Sequence, residues 1–446
     1  MKYYSTNGKA PAATLTEAVV KGLAPDRGLY MPERICHMQN EFFDHIQDMP
    51  FNEISFNVAK MFFSEDIEEK ALKEIVYDTL SFDCPTVEVS SNVWSLELYH
   101  GSTLAFKDVG ARFMARTLAY LLRTADRQTS KGSDGDVNVL VATSGDTGSA
   151  VANGFLGVDG IHVYVLYPKG KVSTIQESQF ATLGKNITAL EVDGTFDDCQ
   201  ALVKDAFADQ ELNSMMRLTS ANSINVARLL PQAFYYFNAY ARMKERGLAD
   251  NLVVSVPSGN FGNITAGLIA QAMGLPIKRF IAANNANDVF LEYIKTSVYT
   301  PRPSIQTIAN AMDVGAPSNF ARIQDLYGGS HDEISRHVSA STYTDSQIRE
   351  AMAECHSTTG YTLDPHGACA WRALTEDLRQ GETGVFLETA HPAKFKRTVE
   401  EAIGATVEIP QRLARFINGK KQSIPMSKRF ADFKSLLSDR CKGNSR

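Results

Sequence analysis

The sequence predicts an α/β fold built from open, twisted, mostly parallel sheets, and three observations carry that expectation. From about residue 95 onward, short β-branched runs alternate with longer helical patterns, the rhythm of βαβ units. Most of those runs are continuously apolar, as strands covered on both faces must be. The chain has 446 residues with 44% hydrophobic and 22% charged content, an ordinary globular composition with enough length for two or three packed units.

Along the chain, the first 90 or so residues lack this rhythm. They carry amphipathic helical patterns around Leu15–Leu23 and Ile67–Leu80 and read as a segment appended to the α/β part. After Lys107-Asp108-Val109-Gly110, the residues Phe113, Met114, Thr117, Leu118, Leu121 and Leu122 fall on one face at helical spacing, so a helix starts near the lysine. Candidate strands follow at Val137–Ala142, Ile161–Tyr167, Ile187–Val192, Leu252–Val256, Phe280–Ala283 and Val385–Thr389, each flanked by Gly, Pro or Asp punctuation. The polar stretches Gln128–Asp136 and Gly328–His337 are expected as surface loops, and the end Arg440–Arg446 is expected to fray. No internal repeat or low-complexity block interrupts the pattern.

Charge and cysteine usage narrow the function. A formal net charge of -6 leaves no dense basic face for a phosphate backbone, so nucleic acid is not an expected partner. No stretch approaches the roughly 18 apolar residues of a membrane span. The start Met1-Lys2-Tyr3-Tyr4-Ser5-Thr6-Asn7 has no apolar signal core, and a cytoplasmic protein is expected. Cys36, Cys84, Cys199, Cys355, Cys369 and Cys441 form no C-x-x-C pair, which suggests neither a disulfide framework nor a metal site.

Several segments carry chemistry. Val253 to Val256 leads through Pro257-Ser258-Gly259-Asn260-Phe261-Gly262-Asn263 into the apolar helical run Ile264-Thr265-Ala266-Gly267-Leu268. Such a strand, Gly-rich turn and helix start suits a phosphate, because the backbone can approach an anion and the helix N-terminus offers free N–H groups. It matches neither the P-loop pattern nor the dinucleotide fingerprint. A second turn of the same kind, Thr143-Ser144-Gly145-Asp146-Thr147-Gly148, offers hydroxyls and backbone donors that suit a carboxylate. Two anion turns on one α/β chain imply a ligand with two anionic groups, or a phosphorylated cofactor beside an anionic substrate.

The third segment is His100-Gly101-Ser102-Thr103-Leu104-Ala105-Phe106-Lys107, in which a lysine follows apolar residues at a helix start. Apolar burial favours the neutral amine, which can attack an aldehyde to form a Schiff base. Lysines are nearly always solvated, and it is the two anion turns that single Lys107 out. A fourth cluster, Ser220 to Arg228, brings Asn222, Ser223 and Arg228 into spacings that can converge on a phosphate. Last, Thr389 ends a late apolar strand before Ala390-His391-Pro392-Ala393-Lys394-Phe395, where its hydroxyl can meet a ring nitrogen.

Together these segments resemble the threonine synthase family, a branch of the tryptophan-synthase-like, fold type II pyridoxal-phosphate enzymes. The resemblance runs along nearly the whole chain. It includes the entry stretch Ala18 to Pro32, Asn310-Ala311-Met312-Asp313-Val314-Gly315 and Asp364-Pro365-His366. It implies two α/β domains with the cofactor in the cleft between them. The expected division is residues 1–95 as N-terminal segment, 96–240 as a smaller domain with Lys107 at the interface, and 241–446 as a larger domain binding the cofactor phosphate. Lys107 would be the Schiff-base lysine and later a proton shuttle, with Ser258, Gly259, Asn260, Phe261, Gly262 and Asn263 around the cofactor phosphate and Thr389 facing the pyridine nitrogen. Ser144, Asp146 and Thr147 would line the side of the substrate carboxylate and the cofactor's ring hydroxyl, Asp146 toward the cofactor. Asn222, Ser223 and Arg228 would bind the phosphate of O-phospho-L-homoserine, with Lys169 and Lys171 either adding charge or forming a solvated basic loop.

The implied reaction is elimination of phosphate from the γ-carbon and addition of water at the β-carbon to give L-threonine, by a monomer or homodimer. Ser102, Glu388 and Gly367-Ala368-Cys369 depart from the family pattern, which bears on fine positioning around the lysine loop and Thr389. Two alternatives stand beside this reading: a serine or threonine dehydratase-like elimination enzyme, which needs no subsite for a substrate phosphate, and a non-catalytic phospho-ligand binding protein.

Overall fold

The structure, a computed structural model, describes residues 1–129 and 136–443. Strands β1 (Tyr3–Ser5) and β2 (Tyr30–Pro32) form a short antiparallel pair. In chain order the other strands are β3 (Thr86–Ser90), β4 (Val93–Glu97), β5 (Val137–Ala142), β6 (Ile161–Pro168), β7 (Ile187–Val192), β8 (Arg217–Ser220), β9 (Leu252–Pro257), β10 (Ile277–Asn284), β11 (Val338–Thr342), β12 (Thr383–Glu388) and β13 (Ile424–Met426). They make a six-stranded sheet ordered β11-β10-β9-β12-β4-β3 and a five-stranded sheet ordered β13-β7-β6-β5-β8. Every neighbouring pair in these two sheets is parallel except β3 with β4, so an α/β fold with mostly parallel sheets is what the chain adopts.

All six candidate strands form, β10 starting three residues early at Ile277. Strands β5, β9 and β12 are buried at every position, which is why they read as mainly apolar runs, with Asn138, Ser255, Thr383 and Glu388 as buried polar exceptions, rather than alternating ones. The helix expected near the lysine begins at Lys107 itself and runs to Thr129. Residues 130–135 of the stretch expected as a loop at Gln128–Asp136 lie outside the described residues, as do 444–446.

Gly328–His337 is not all loop. His331–His337 is helical because Ser330 caps its start, accepting the Glu333 N–H at 3.3 Å, and Asp332 and Glu333 place negative charge in the first turn. The C-terminal stretch likewise belongs to a helix, Phe430–Gly443. Sheet membership also crosses the expected domain boundaries. β3 and β4 join the six-stranded sheet through the parallel register of β4 on β12, whereas β13 pairs with β7 in the five-stranded sheet.

One core cluster joins Tyr3 and Phe62 of the N-terminal segment to Phe113, Val139, Phe234 and Val256 of both sheet units. The segment is therefore packed in, and Arg322, fully buried, ties it down by donating to the Tyr30 carbonyl at 2.9 and 3.2 Å. A second cluster, with Phe386 and Leu374, lies on the six-stranded sheet, and a third, with Leu140 and Phe433, on the five-stranded sheet. Among the described residues no helix is long and apolar enough to cross a membrane.

Candidate active site

The loop before Lys107 is held from two directions. From the end of β12, Thr389 accepts the Phe106 N–H at 2.9 Å, while Leu104 accepts the His391 N–H at 3.1 Å. From within, the fully buried Asp108 carboxylate accepts the Thr103 N–H at 2.8 Å and the Thr103 hydroxyl at 2.6 Å. These bonds hold Leu104 in a left-handed conformation, φ 57°, which a non-glycine residue keeps only when its surroundings insist. Lys107 thus projects from a fixed base. The residue keeps some exposure to the cavity, yet desolvation around its amine lowers the pKa to about 8, with Lys394 and Arg228 pushing the same way and Asp146 opposing.

Beyond β9, the turn Ser258–Phe261 enters the helix Gly262–Ala272. Phe261 is the N-cap, has φ 60°, and offers no side-chain cap, so the first-turn N–H groups receive no acceptor from it. A Cβ on Gly259 would come within 2.6 Å of the Met312 backbone, so only glycine brings that chain so close. Asn263 is fixed by its oxygen, which accepts the Tyr235 and Tyr236 hydroxyls at 2.7 Å each. Its buried Nδ2 has no partner. Asn260 donates to the Ser223 hydroxyl at 2.9 Å and accepts the Ser318 N–H at 2.7 Å, lacing the turn to its neighbours.

The second turn, between β5 and the helix Asp146–Phe155, is filled differently. Thr143 Oγ1 accepts the N–H groups of Gly145 at 2.9 Å and Gly148 at 2.8 Å. Asp146 is buried, accepts from Gln176 Nε2 at 2.9 Å and pairs with Lys394 Nζ at 2.6 Å. Burial pushes its carboxyl up, but the Lys394 and Lys107 charges outweigh that and hold it well below the usual carboxylate range.

After β8, Asn225 caps the short helix Val226–Leu229 and anchors to the N-terminal segment through the Val19 carbonyl at 2.9 Å. Arg228 is buried and donates through Nη1 to Ala221, while its buried Nε has no partner. Burial lowers its pKa to about 10. Ser223 accepts from both Asn260 and Asn319, the latter at 3.2 Å, and so stands against the first turn rather than apart from it.

Lys107, Thr389 and both turns open into one cavity of about 470 Å³. Ser144 and Thr147, the trio Asn222, Ser223 and Arg228, and the whole run Ser258–Asn263 face it as well. Asp146 does not line it and lies behind, against Lys394. Lys169 and Lys171 are exposed and also do not line it.

Residue-by-residue reading missed three contributors. Asn310 lines the cavity with a buried, unpartnered Oδ1. His366 lines it too, pairing through Nδ1 with Asp364 and accepting the Ala311 N–H at Nε2, 3.2 Å, which holds the 310–315 loop over Gly259. Both lie in segments that matched the family pattern without an assigned role. Lys394 is fully buried, and the signal was its place between Ala393 and Phe395, the same argument that applies to Lys107.

Three family models match in succession: threonine synthase N terminus over residues 2–80, pyridoxal-phosphate dependent enzyme over 76–388, and threonine synthase, C-terminal, over 366–436. The threonine synthase of Haemophilus influenzae is 42% identical over 98% of this chain and 99% of its own length. The crystal structure of threonine synthase from Escherichia coli matches with a TM-score of 0.91 at 41% identity, covering 99% of this chain and 100% of that one. A PLP-bound threonine synthase from Brucella melitensis matches with a TM-score of 0.90 at 32% identity, covering 99% of each chain.

Proposed function

The chain belongs to the threonine synthase family of pyridoxal-phosphate-dependent enzymes of amino-acid biosynthesis, and from that premise we propose that its substrate is O-phospho-L-homoserine and Lys107 its catalytic amine. Phosphate leaves the γ-carbon, water adds at the β-carbon, and L-threonine results. The observation that carries this reading is the meeting, in one cavity, of a desolvated lysine, an uncapped helix start and a buried arginine with an unpartnered Nε.

The residues present fit the cofactor: Asn263 Nδ2 is an orphaned buried donor beside uncapped N–H groups, and Gly259 admits no side chain. When bound, pyridoxal phosphate supplies the electron sink that stabilises carbanions next to an imine nitrogen. Ser258 through Asn263 hold its phosphate. Thr389, which lines the cavity, would offer its hydroxyl to the pyridine nitrogen, and a neutral partner there would not hold a proton on the ring. Lys107 moves protons at the substrate carbons, and an amine titrating at about 8 can both take and give them near neutrality.

Ser144 and Thr147 hold the substrate carboxylate, with Asp146 acting from behind on the cofactor side. Asn222, Ser223 and Arg228 hold the leaving phosphate. Ser223 already accepts two amide N–H groups, which leaves its own O–H to donate to the anion. The two sheet units flank the cleft, chiefly residues 96–240 and 241–446 but with β3 and β4 in the second and β13 in the first, with the rest of the N-terminal segment packed against them, and closure excludes water between elimination and hydration. The enzyme works in the cytoplasm as a monomer or homodimer.

The test is phosphate release measured together with threonine formation from O-phospho-L-homoserine, using cofactor-loaded protein and a Lys107→Ala control. Equal yields, abolished in the control, support the reading. Phosphate without threonine would make it an elimination enzyme, and neither product would overturn the reaction.

A further inference from the structure

We infer that Lys394 is a positioning residue that neutralises Asp146, so that Lys107 stands before a balanced ion pair instead of a bare carboxylate and remains free to exchange its proton. This rests on the reading of Lys107 as the reactive amine.

Lys394 Nζ is fully buried, lies 2.6 Å from Asp146 Oδ1 and donates to the Thr103 carbonyl at 2.9 Å. Thr103 is clamped by Asp108, the residue next to Lys107. Gln179 donates to the same carbonyl at 3.0 Å, and Gln176 to Asp146 Oδ1 at 2.9 Å. The pair is therefore locked onto the very loop that delivers Lys107, and it joins the helix start after β5 to the turn Pro392–Phe395 after β12.

The charged groups that act most strongly on Lys107 come each from a different element: Asp146, Lys394, Arg228 from the helix Val226–Leu229, and Asp364 from the cap of the helix Pro365–Asp377. Asp146 is the strongest anion among them and Lys394 the strongest cation. A carboxylate within about 4–6 Å of a lysine holds it as ammonium, and an ammonium is no nucleophile. With Lys394 in place the two fields oppose each other and desolvation decides. Desolvation lowers the Lys107 pKa to about 8.

The test uses the cofactor-free protein in four forms: wild type, Lys394→Met, Asp146→Asn and the double variant. The rate of arylation of Lys107 by 1-fluoro-2,4-dinitrobenzene, an uncharged probe, is followed against pH by peptide mass spectrometry, with thermal melting as the check on folding. Lys394→Met should raise the midpoint by about one pH unit or more, slowing labelling near pH 7 about tenfold. Asp146→Asn should lower the midpoint, and the double variant should return close to wild type. A merely structural role would move all three variants the same way. The inference fails if Lys394→Met leaves the midpoint in place or lowers it, or if the double variant stays with Lys394→Met. Should Lys394→Met not fold, a midpoint in Asp146→Asn that does not fall is enough to overturn it. A wild-type Lys107 that titrates like an exposed lysine would instead sink the reading of Lys107 itself.

Discussion

The two turns share a plan, a buried parallel strand running through a short turn into a helix, yet they meet the cavity with opposite electrostatics. The Gly259–Asn263 turn leaves its helix start uncapped and adds an unpartnered amide. The Thr143–Gly148 turn satisfies two of its N–H groups with its own threonine and carries a carboxylate, Asp146, paired from behind with Lys394. One leaves its donors free, and the other satisfies two N–H groups internally and holds a paired carboxylate, leaving Ser144 and Thr147 to face the cavity. The same local pattern therefore presents its donors in one place and engages part of them in the other, and what decides is which side chains occupy the turn and the first helical turn.

Exchanging those side chains is the strongest way to break the contrast. Asn263→Asp retains an oxygen for the Tyr235 and Tyr236 hydroxyls but removes the free donor and sets a negative charge where a phosphate belongs. Cofactor affinity, measured by fluorescence titration, should fall about a hundredfold or more, or about 2.7 kcal/mol, with melting little changed. Unaltered affinity would mean that the first turn is no phosphate cradle.

Next in size is Arg228→Ala, which asks whether a second phosphate site stands beside the first. Removing a buried charge-assisted donor costs about 1.5–3 kcal/mol, so kcat/KM for O-phospho-L-homoserine should drop about ten- to a hundredfold while cofactor affinity holds. A loss no larger than that of a distant surface change would favour the dehydratase-like alternative.

The local half of this contrast was legible in the sequence, and the electrostatic half was not. Mainly apolar runs, each with one polar residue, Asn138 or Ser255, announced β5 and β9 because both faces are buried, and the glycines marked the turns. Lys107 stood out only through its company. No spacing rule could join Asp146 to Lys394, or Asn263 to Tyr235 and Tyr236, because those contacts depend on how two sheets and a helix pack. The helix His331–His337 was missed for a more ordinary reason, since its polar composition masked a Ser330 cap with acids behind it. The crossing of β3, β4 and β13 between units reflects strand pairing at a distance, and composition carries no trace of it.

A further test concerns the desolvation of the Lys107 amine. Its pKa falls from 10.5 to about 8 on folding, so between those values the unfolded chain binds more protons and stability rises with pH. Below about pH 8 the wild type bears the whole cost of an ammonium held in a desolvated site. Lys107→Met in the cofactor-free protein should therefore be more stable than wild type by ~3 kcal/mol near neutrality, and the gap should close as pH rises toward 10.5. Denaturant melts of the two proteins across that range measure it, and a gap that stays constant would mean the amine is not desolvated.

The sharpest test of the comparison is Thr143→Val. The substitution keeps shape and removes the oxygen that accepts the Gly145 and Gly148 N–H groups, so the second turn becomes chemically more like the first. Two buried donors without acceptors should cost about 1–3 kcal/mol each if they stay dry, and less where water or an anion from the cavity reaches them. Thr143→Ser restores the acceptor and should restore most of the stability. If the threonine oxygen is what takes these two N–H groups out of reach of a cavity anion, sulfate should stabilise the valine variant more than the wild type in thermal melts, and an equal response would show that the two groups do not face the cavity.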